Sequence, residues 1–324
     1  MSRSAAVLVA LFAGRSGDLY VMLNRSFPGD TSLPGGRWEP GDKSLEDTAR
    51  REAFEEIGLP QDKVRIPFLC YLQPFLTGSN LLVTPVVVLI LDPAIRPVLH
   101  EPEVSALFSH PFKSFLSTTS PFPDGKHHAP HLVDPRLPPA RAPSYASSTA
   151  HLGSLIRQRH GAPGSETDAF RPLPPPLARE SSVIPDLPNS PDPKKAAVVG
   201  WKKFRASSEP EPAPGEEEDA NEMEYYSYRD IQWGQGPVRN HRFLTGREDY
   251  GIKPVYGLTA TILLHAAIAG YDRAPDFVQF APGEKSVQDR LIYALENTPV
   301  LKLAVEQEKK EREEKQRQPA KSRL

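Results

Sequence analysis

Residues 33–59 read Leu-Pro-Gly-Gly-Arg-Trp-Glu-Pro-Gly-Asp-Lys-Ser-Leu-Glu-Asp-Thr-Ala-Arg-Arg-Glu-Ala-Phe-Glu-Glu-Ile-Gly-Leu. Leu45, Ala49, Ala53 and Ile57 recur at every fourth position, which predicts a helix from Leu45 to Ile57 with one apolar stripe. Asp42 or Ser44 can cap its start, with Asp47 three residues beyond Ser44. Gly58 suits the left-handed residue that ends a helix. Upstream, Pro34, Gly35 and Gly36 predict a tight turn whose backbone, lacking Cβ atoms, can approach a ligand closely.

The same helix carries Arg51, Glu52, Glu55 and Glu56. Glu52 and Glu56 share a face, and Glu55 lies three residues from Glu52. Like charges at these spacings destabilise a bare helix by roughly 0.2–0.5 kcal/mol per pair. Their place near the negative C-terminal end of the helix dipole adds to that cost. A hard divalent cation reverses the sign, because Mg²⁺ takes a few carboxylates, keeps several waters and bridges to substrate phosphates. Arg51 can orient a neighbouring carboxylate through a bidentate pair.

The segment from Gly36 through Arg51, Glu52, Glu55, Glu56, Gly58 and Leu59 resembles the Nudix box. Eight residues, Lys43 to Arg50, separate Asp42 from Arg51, one more than the common box has. That one-residue insertion, and the stretch Pro34-Gly35-Gly36-Arg37-Trp38-Glu39-Pro40-Gly41-Asp42 before the helix, resemble the coenzyme A diphosphatase branch. Further resemblances follow in chain order: Leu23-Asn24-Arg25-Ser26, then Glu101-Pro102-Glu103-Val104 with Phe108-Ser109-His110-Pro111-Phe112, then the stretch from Gly251 to Ala260. The branch usually has a basic segment between its Arg-Ser and Pro-Gly-Gly elements; here the intervening residues 27–33 hold no basic residue. Arg25, Arg37 and Lys253 are the cations expected to replace it.

The resemblance implies an α/β fold, a Nudix α/β/α sandwich around a mixed sheet. It also implies a Mg²⁺- or Mn²⁺-dependent diphosphatase of coenzyme A or its acyl esters, releasing 3′,5′-ADP and (acyl) 4′-phosphopantetheine. Glu52 and Glu56 would hold the metal, with Glu55 as a third ligand or the base. Glu103 could instead take the proton of the attacking water, or serve only as a helix N-terminal acid. Arg51 joins the catalytic set, and Arg25, Gly35, Gly36, Arg37 and Lys253 the substrate-binding set. Two alternatives stay open: a Nudix diphosphatase of NADH, ADP-ribose or another nucleoside diphosphate derivative, and a non-catalytic Nudix-fold binding module.

The rest of the 324 residues divides by composition. Nineteen of the 36 prolines fall in residues 121–214, together with the acidic run Glu216-Glu217-Glu218-Asp219. Such a segment cannot build a packed core, so residues 117–221 are expected to be a disordered insertion. One discontinuous domain, residues 1–116 and 222–300, would flank it. His127, His128, His131, His151 and His160 lie in the insertion at no metal-binding spacing. Trp201 and Phe204 could form a short docking segment near its end. Within the flanking parts, residues 5–13 and 19–23 read as a hairpin around residues 14–17. Residues 64–72 and 81–91 read as strands, the second buried. Residues 103–116 and 256–269 read as helices.

A net charge of −2 without a basic stripe argues against a nucleic-acid partner. No apolar stretch reaches the ~18 residues of a membrane span, and residues 7–13 are too short for a secretory leader. The single cysteine, Cys70, excludes an intrachain disulfide and reads as a small buried apolar residue. Residues 301–324 form a charged helix or frayed tail that ends Ser322-Arg323-Leu324, similar to the Ser-Lys-Leu peroxisomal address. A peroxisomal import receptor is therefore an expected partner, with the cytoplasm as the alternative location.

Overall fold

A computed structural model of the chain describes residues 3–26, 29–99, 104–122, 201–203 and 224–317. Its frame is a mixed sheet. β1 (Ser4–Ala13) and β2 (Leu19–Ser26) make the expected hairpin, with Leu11 opposite Val21. β3 (Thr31–Ser32) lies against β2, and β4 (Gly35–Arg37) against the start of β1. After the helix α1 (Leu45–Ile57) come β5 (Phe68–Tyr71), β6 (Phe75–Leu76) and β7 (Leu82–Ile90). β7 runs parallel to β1 while the other pairs are antiparallel, and the central order is β3-β2-β1-β7-β5. The β-branched run Val86, Val87, Val88 and Ile90 is buried, as a strand covered on both faces requires.

Each face of this sheet carries a core. On one, Ala6, Leu8 and Ala10 of β1 meet Ala49, Ala53 and Ile57 of α1. On the other, Val9, Leu11, Val21 and Leu23 pack towards α2 (Gly257–Tyr271), whose Leu263, Leu264 and Ala267 are buried. Helix on sheet on helix is the expected α/β/α sandwich. A second, antiparallel sheet of order β12-β11-β10-β9 joins the α2 side. Its strands are β9 (Lys202–Lys203), β10 (Tyr226–Trp233), β11 (Gly236–Phe243) and β12 (Val255–Tyr256). α3 (Val287–Asn297) and α4 (Pro299–Arg317) close the described chain. Among the described residues no helix is long and apolar enough to cross a membrane.

Several expectations need correction. Residues 103–116 were expected to be helical; instead Val104–Pro111 is a strand, β8, antiparallel to β2, and a 3₁₀ turn follows at Phe112–Leu116. Val104 and Leu107 are buried in one core and Ala106 and Phe108 in the other, as a strand covered on both faces requires, and pairing with β2 outweighs the local helical reading. Of the strand expected over 64–72 only Phe68–Tyr71 forms, because Asp62 turns the chain by accepting from the N–H groups of Val64 and Arg65. Cys70, expected to be buried, is exposed on β5, the last strand of the sheet order.

Two pieces of the expected insertion are placed in the fold. Phe122 packs edge-on against His110, and Lys202 and Lys203 pair with Tyr228 and Ser227 of β10. Trp201 stacks under two guanidiniums, those of Arg229 at 4.7 Å and Arg242 at 5.0 Å. The insertion histidines, Phe204 and Ser322-Arg323-Leu324 lie outside the described residues.

Phe243 joins residues 104–122 to residues 224–317, since its fully buried ring touches Phe115, Tyr225, Tyr226 and Phe277. Phe243→Ala should lower the unfolding free energy by about 3–5 kcal/mol, measured as a shift of the denaturant midpoint.

Candidate active site

α1 forms as its sequence dictates. The Ser44 hydroxyl accepts from the Asp47 N–H at 3.1 Å, which settles the choice of cap, and Gly58 ends the helix with φ of 60°. The apolar stripe of Ala49, Ala53 and Ile57 is buried, so the helix is held in one rotation. The opposite side then presents Arg51, Glu52, Glu55 and Glu56 together.

Arg51 organises this side. Its Nε and Nη2 donate to the two oxygens of Asp42 at 3.0 and 3.1 Å, a bidentate pair. Nη2 also reaches the Arg37 carbonyl at 3.0 Å, while Nη1 donates to Glu52 at 3.0 Å and Glu55 at 3.2 Å. Asp42 is the better buried partner, at 5% side-chain exposure, and it also accepts from the Glu39 N–H and the Thr48 hydroxyl. Burial pushes the Asp42 pKa up, but the bonds from Arg51, Glu39 and Thr48 outweigh it and the net shift is downward.

Gly35 and Gly36 are not the expected tight turn. They are strand residues of β4 opposite Val7 and Ala6. Their need for glycine is internal: a Cβ on Gly36 would overlap the Glu52 carboxylate, and one on Gly35 would overlap the Ala6–Val7 backbone. Glu52 therefore lies directly against the β4 backbone. Burial raises its pKa, Arg51 pulls it down, and the charges of Glu55 and Glu39 push it up again; the net shift is upward.

Glu56 has a partner that the sequence reading missed. Asn24 of β2 donates from Nδ2 to Glu56 at 2.8 Å, and its own carbonyl accepts from the Ser32 hydroxyl. Its position one residue before Arg25 was the available clue. Arg25, Lys253 and Asp30 form a neighbouring group. Lys253 donates to Asp30 at 2.7 Å, Tyr256 to the same oxygen at 3.0 Å, and the Lys253 charge opposes that of Arg25. The Arg25 guanidinium lies close to Gly29 and Gly251, with its Nε buried and without a hydrogen-bond partner among the described residues. The Arg37 side chain is exposed, and only its carbonyl touches the box. Glu103 lies outside the described residues.

The acids are not gathered into a finished metal site. Among the described residues no group of three or more His, Cys, Asp or Glu side chains is arranged to hold an ion. Glu52 and Glu55 are both turned onto Arg51, and Glu56 onto Asn24. The donor set nonetheless suits a hard divalent cation: carboxylate oxygens on one helical turn, one of them partly buried against a backbone that leaves room for no side chain.

The NUDIX domain family model matches residues 1–131. Nudix hydrolase 22, chloroplastic, of Arabidopsis thaliana is 38% identical over 41% of this chain and 47% of its own length. A peroxisomal coenzyme A diphosphatase of Mus musculus is 36% identical over 36% of this chain and 50% of its own. Peroxisomal coenzyme A diphosphatase 1 of Saccharomyces cerevisiae is 48% identical over 18% and 19%. The chain thus spans half or less of the length of these relatives.

Asp42→Asn keeps the shape of the partner and removes its charge, so it should cost about 1.5–3 kcal/mol of stability at neutral pH. Because Asp42 has a depressed pKa in the folded state, its contribution is full above the unfolded value of 3.8 and is lost as pH falls through the lower folded value. Denaturation curves of the two proteins should therefore converge in acid. A box of this composition, built on a capped helix, sits inside residues 1–131, the stretch that the family model identifies as a NUDIX domain.

Proposed function

We propose that the protein is a Mg²⁺- or Mn²⁺-dependent diphosphatase of coenzyme A or acyl-coenzyme A. The observation that carries the reading is the partly buried Glu52 carboxylate, pressed against Gly36 beside Glu55 and Glu56 with one guanidinium as its cationic neighbour. The names of the murine and yeast relatives support the substrate.

Glu52 and Glu56, with Glu55 as third ligand or base, would hold the ion. When bound, such an ion neutralises a diphosphate and acts as a Lewis acid. The chain's own residues do the rest. Arg51 fixes the directions of Glu52 and Glu55 and ties the loop before α1 to the helix. Asn24 fixes Glu56. Arg25 and Lys253 offer positive charge to an anionic substrate. A water attacks phosphorus, the P–O–P bridge breaks, and a carboxylate takes the water's proton, with Glu55 and Glu103 as the candidates. The geometric requirement on that base is contact through one hydrogen bond.

The purified chain with Mg²⁺ or Mn²⁺ should convert coenzyme A to 3′,5′-ADP and 4′-phosphopantetheine. If NADH or ADP-ribose is cleaved and coenzyme A is not, the substrate assignment falls while the hydrolase assignment stands. If no diphosphate is cleaved, the protein is a binding module. Glu56→Gln should abolish turnover. Asn24→Ala, which removes a hydrogen-bond partner of both Glu56 and Ser32, should reduce turnover about 10- to 100-fold.

The peroxisomal names of two relatives and the Ser322-Arg323-Leu324 sequence support a peroxisomal location through the import receptor. A fluorescent fusion at the N-terminus should be punctate and become diffuse when those three residues are deleted. A diffuse full-length fusion points to the cytoplasm.

A further inference from the structure

A cavity of about 240 Å³ opens among β6 and the turn after it, β10, β11, α2 and residues 279–290. No residue of the box lines it. Much of its wall is apolar, with Phe75, Trp233 and Leu258 among the lining, and two lining side chains, Ile231 and Phe280, leave 36% and 42% of their surface exposed. A cavity of this kind, apolar with a few convergent polar groups, is the usual form of a small-molecule site. Its volume lies below the ~300–1,000 Å³ of most such pockets, so the occupant is compact.

Two arginines reach the cavity, and they differ. Arg239 is spent: Nε and Nη2 hold Asp230 at 2.8 Å each, and Nη1 donates to the Val278 carbonyl at 3.0 Å. Arg290 is not. Its one acid is Glu284, with Nη2 3.5 Å from Oε1, longer than the ~2.7–2.9 Å of a strong charged hydrogen bond. The other Glu284 oxygen is engaged by the N–H groups of Arg239 and Ala281 at 2.9 and 2.8 Å. Nη1 of Arg290 is buried with no hydrogen-bond partner among the described residues. An orphaned donor on a buried cation is costly, and an acceptor from a ligand would relieve it.

The other polar groups narrow the choice of ligand. His265 lies between Gln73 and Gln279, at 3.4 and 3.2 Å, and burial lowers its pKa. Burial likewise lowers that of His241, to about 4, beside the Tyr226 hydroxyl. Both imidazoles are neutral at pH 7, so Arg290 is the cation with a donor to spare. Glu284 beside it opposes a dianion such as a phosphate ester. A planar guanidinium suits a single carboxylate.

We propose that this cavity is a second small-molecule site, separate from the box, for a compact apolar molecule that carries one carboxylate. The carboxylate meets Nη1 of Arg290, and the apolar body lies along Trp233 and Phe75.

Sodium octanoate titrated calorimetrically into the full chain tests this, with octanamide as the uncharged twin. Octanoate should saturate one site, and octanamide should bind about tenfold or more weakly. Arg290→Met should weaken octanoate by about tenfold or more, the range of a charged hydrogen bond. Ile231→Trp keeps every charged group and obstructs the cavity, so it should also weaken octanoate while leaving the melting temperature unchanged. Glu52→Gln should leave octanoate affinity as it is, which separates this site from the box. Absence of saturable octanoate binding overturns the proposal. So does equal affinity for octanamide, or binding indifferent to both Arg290→Met and Ile231→Trp.

Discussion

The ion pair between Arg51 and Asp42 is the constraint on which the box depends. Asp42 is nearly buried and carries a full charge, so it needs a partner that satisfies both oxygens; Arg51 does so with two parallel bonds. Removing Arg51 would leave Asp42 without its charged partner, the costly outcome for a carboxylate with 5% of its side chain exposed. The remaining donors of the same guanidinium bind the Arg37 carbonyl, Glu52 and Glu55. One side chain therefore fixes the strand before the helix, the loop that joins them and the direction of two of the three acids. The eight residues from Lys43 to Arg50 are the length of chain that lets Asp42 come back over the second turn of α1.

That arrangement needs close packing beneath it. Ala49 and Ala53 are fully buried against Ala6, Leu8 and Ala10. Small residues on the contact stripe leave α1 close to β1, and β4 sits on the edge of the same strand. Gly36 is where helix, strand and carboxylate meet, with no space for a Cβ. On the far face the demands differ. α2 has apolar residues all around, because it is covered by the main sheet, by the turn at Phe112–Leu116 and by β11.

What could be read from the chain follows the range of the interactions. α1 was legible to the residue because its cap, stripe and terminal glycine are all local. β1, β2 and β7 were legible because strand patterns are local too. The strand at Val104–Pro111 was not, since β2 decides its conformation from some eighty residues earlier. The partners of the acids were hidden for the same reason. Nothing near Glu56 names Asn24, and the bond between Asp42 and Arg51 follows no helical period. The glycines were seen, but their reason was misread: Gly36 makes room for Glu52 of the same chain.

The placement of Glu52 is hard to explain by stability. A carboxylate that is partly buried, beside two further acids on the last turns of a helix, is raised in pKa despite its arginine. Its charged form is thus held at a cost, and a glutamine of the same shape would avoid it. Folding did not require a glycine at position 36 either, except to let that carboxylate in. A chain that keeps two unfavourable features which fit each other is spending stability on a site. The pair fits the proposed function, in which this acid would have to be ionised and rigid to hold a cation. Arg51 holds it in place, with Nη1 alone given to Glu52 and Glu55 and the other two nitrogens bound to Asp42 and the Arg37 carbonyl.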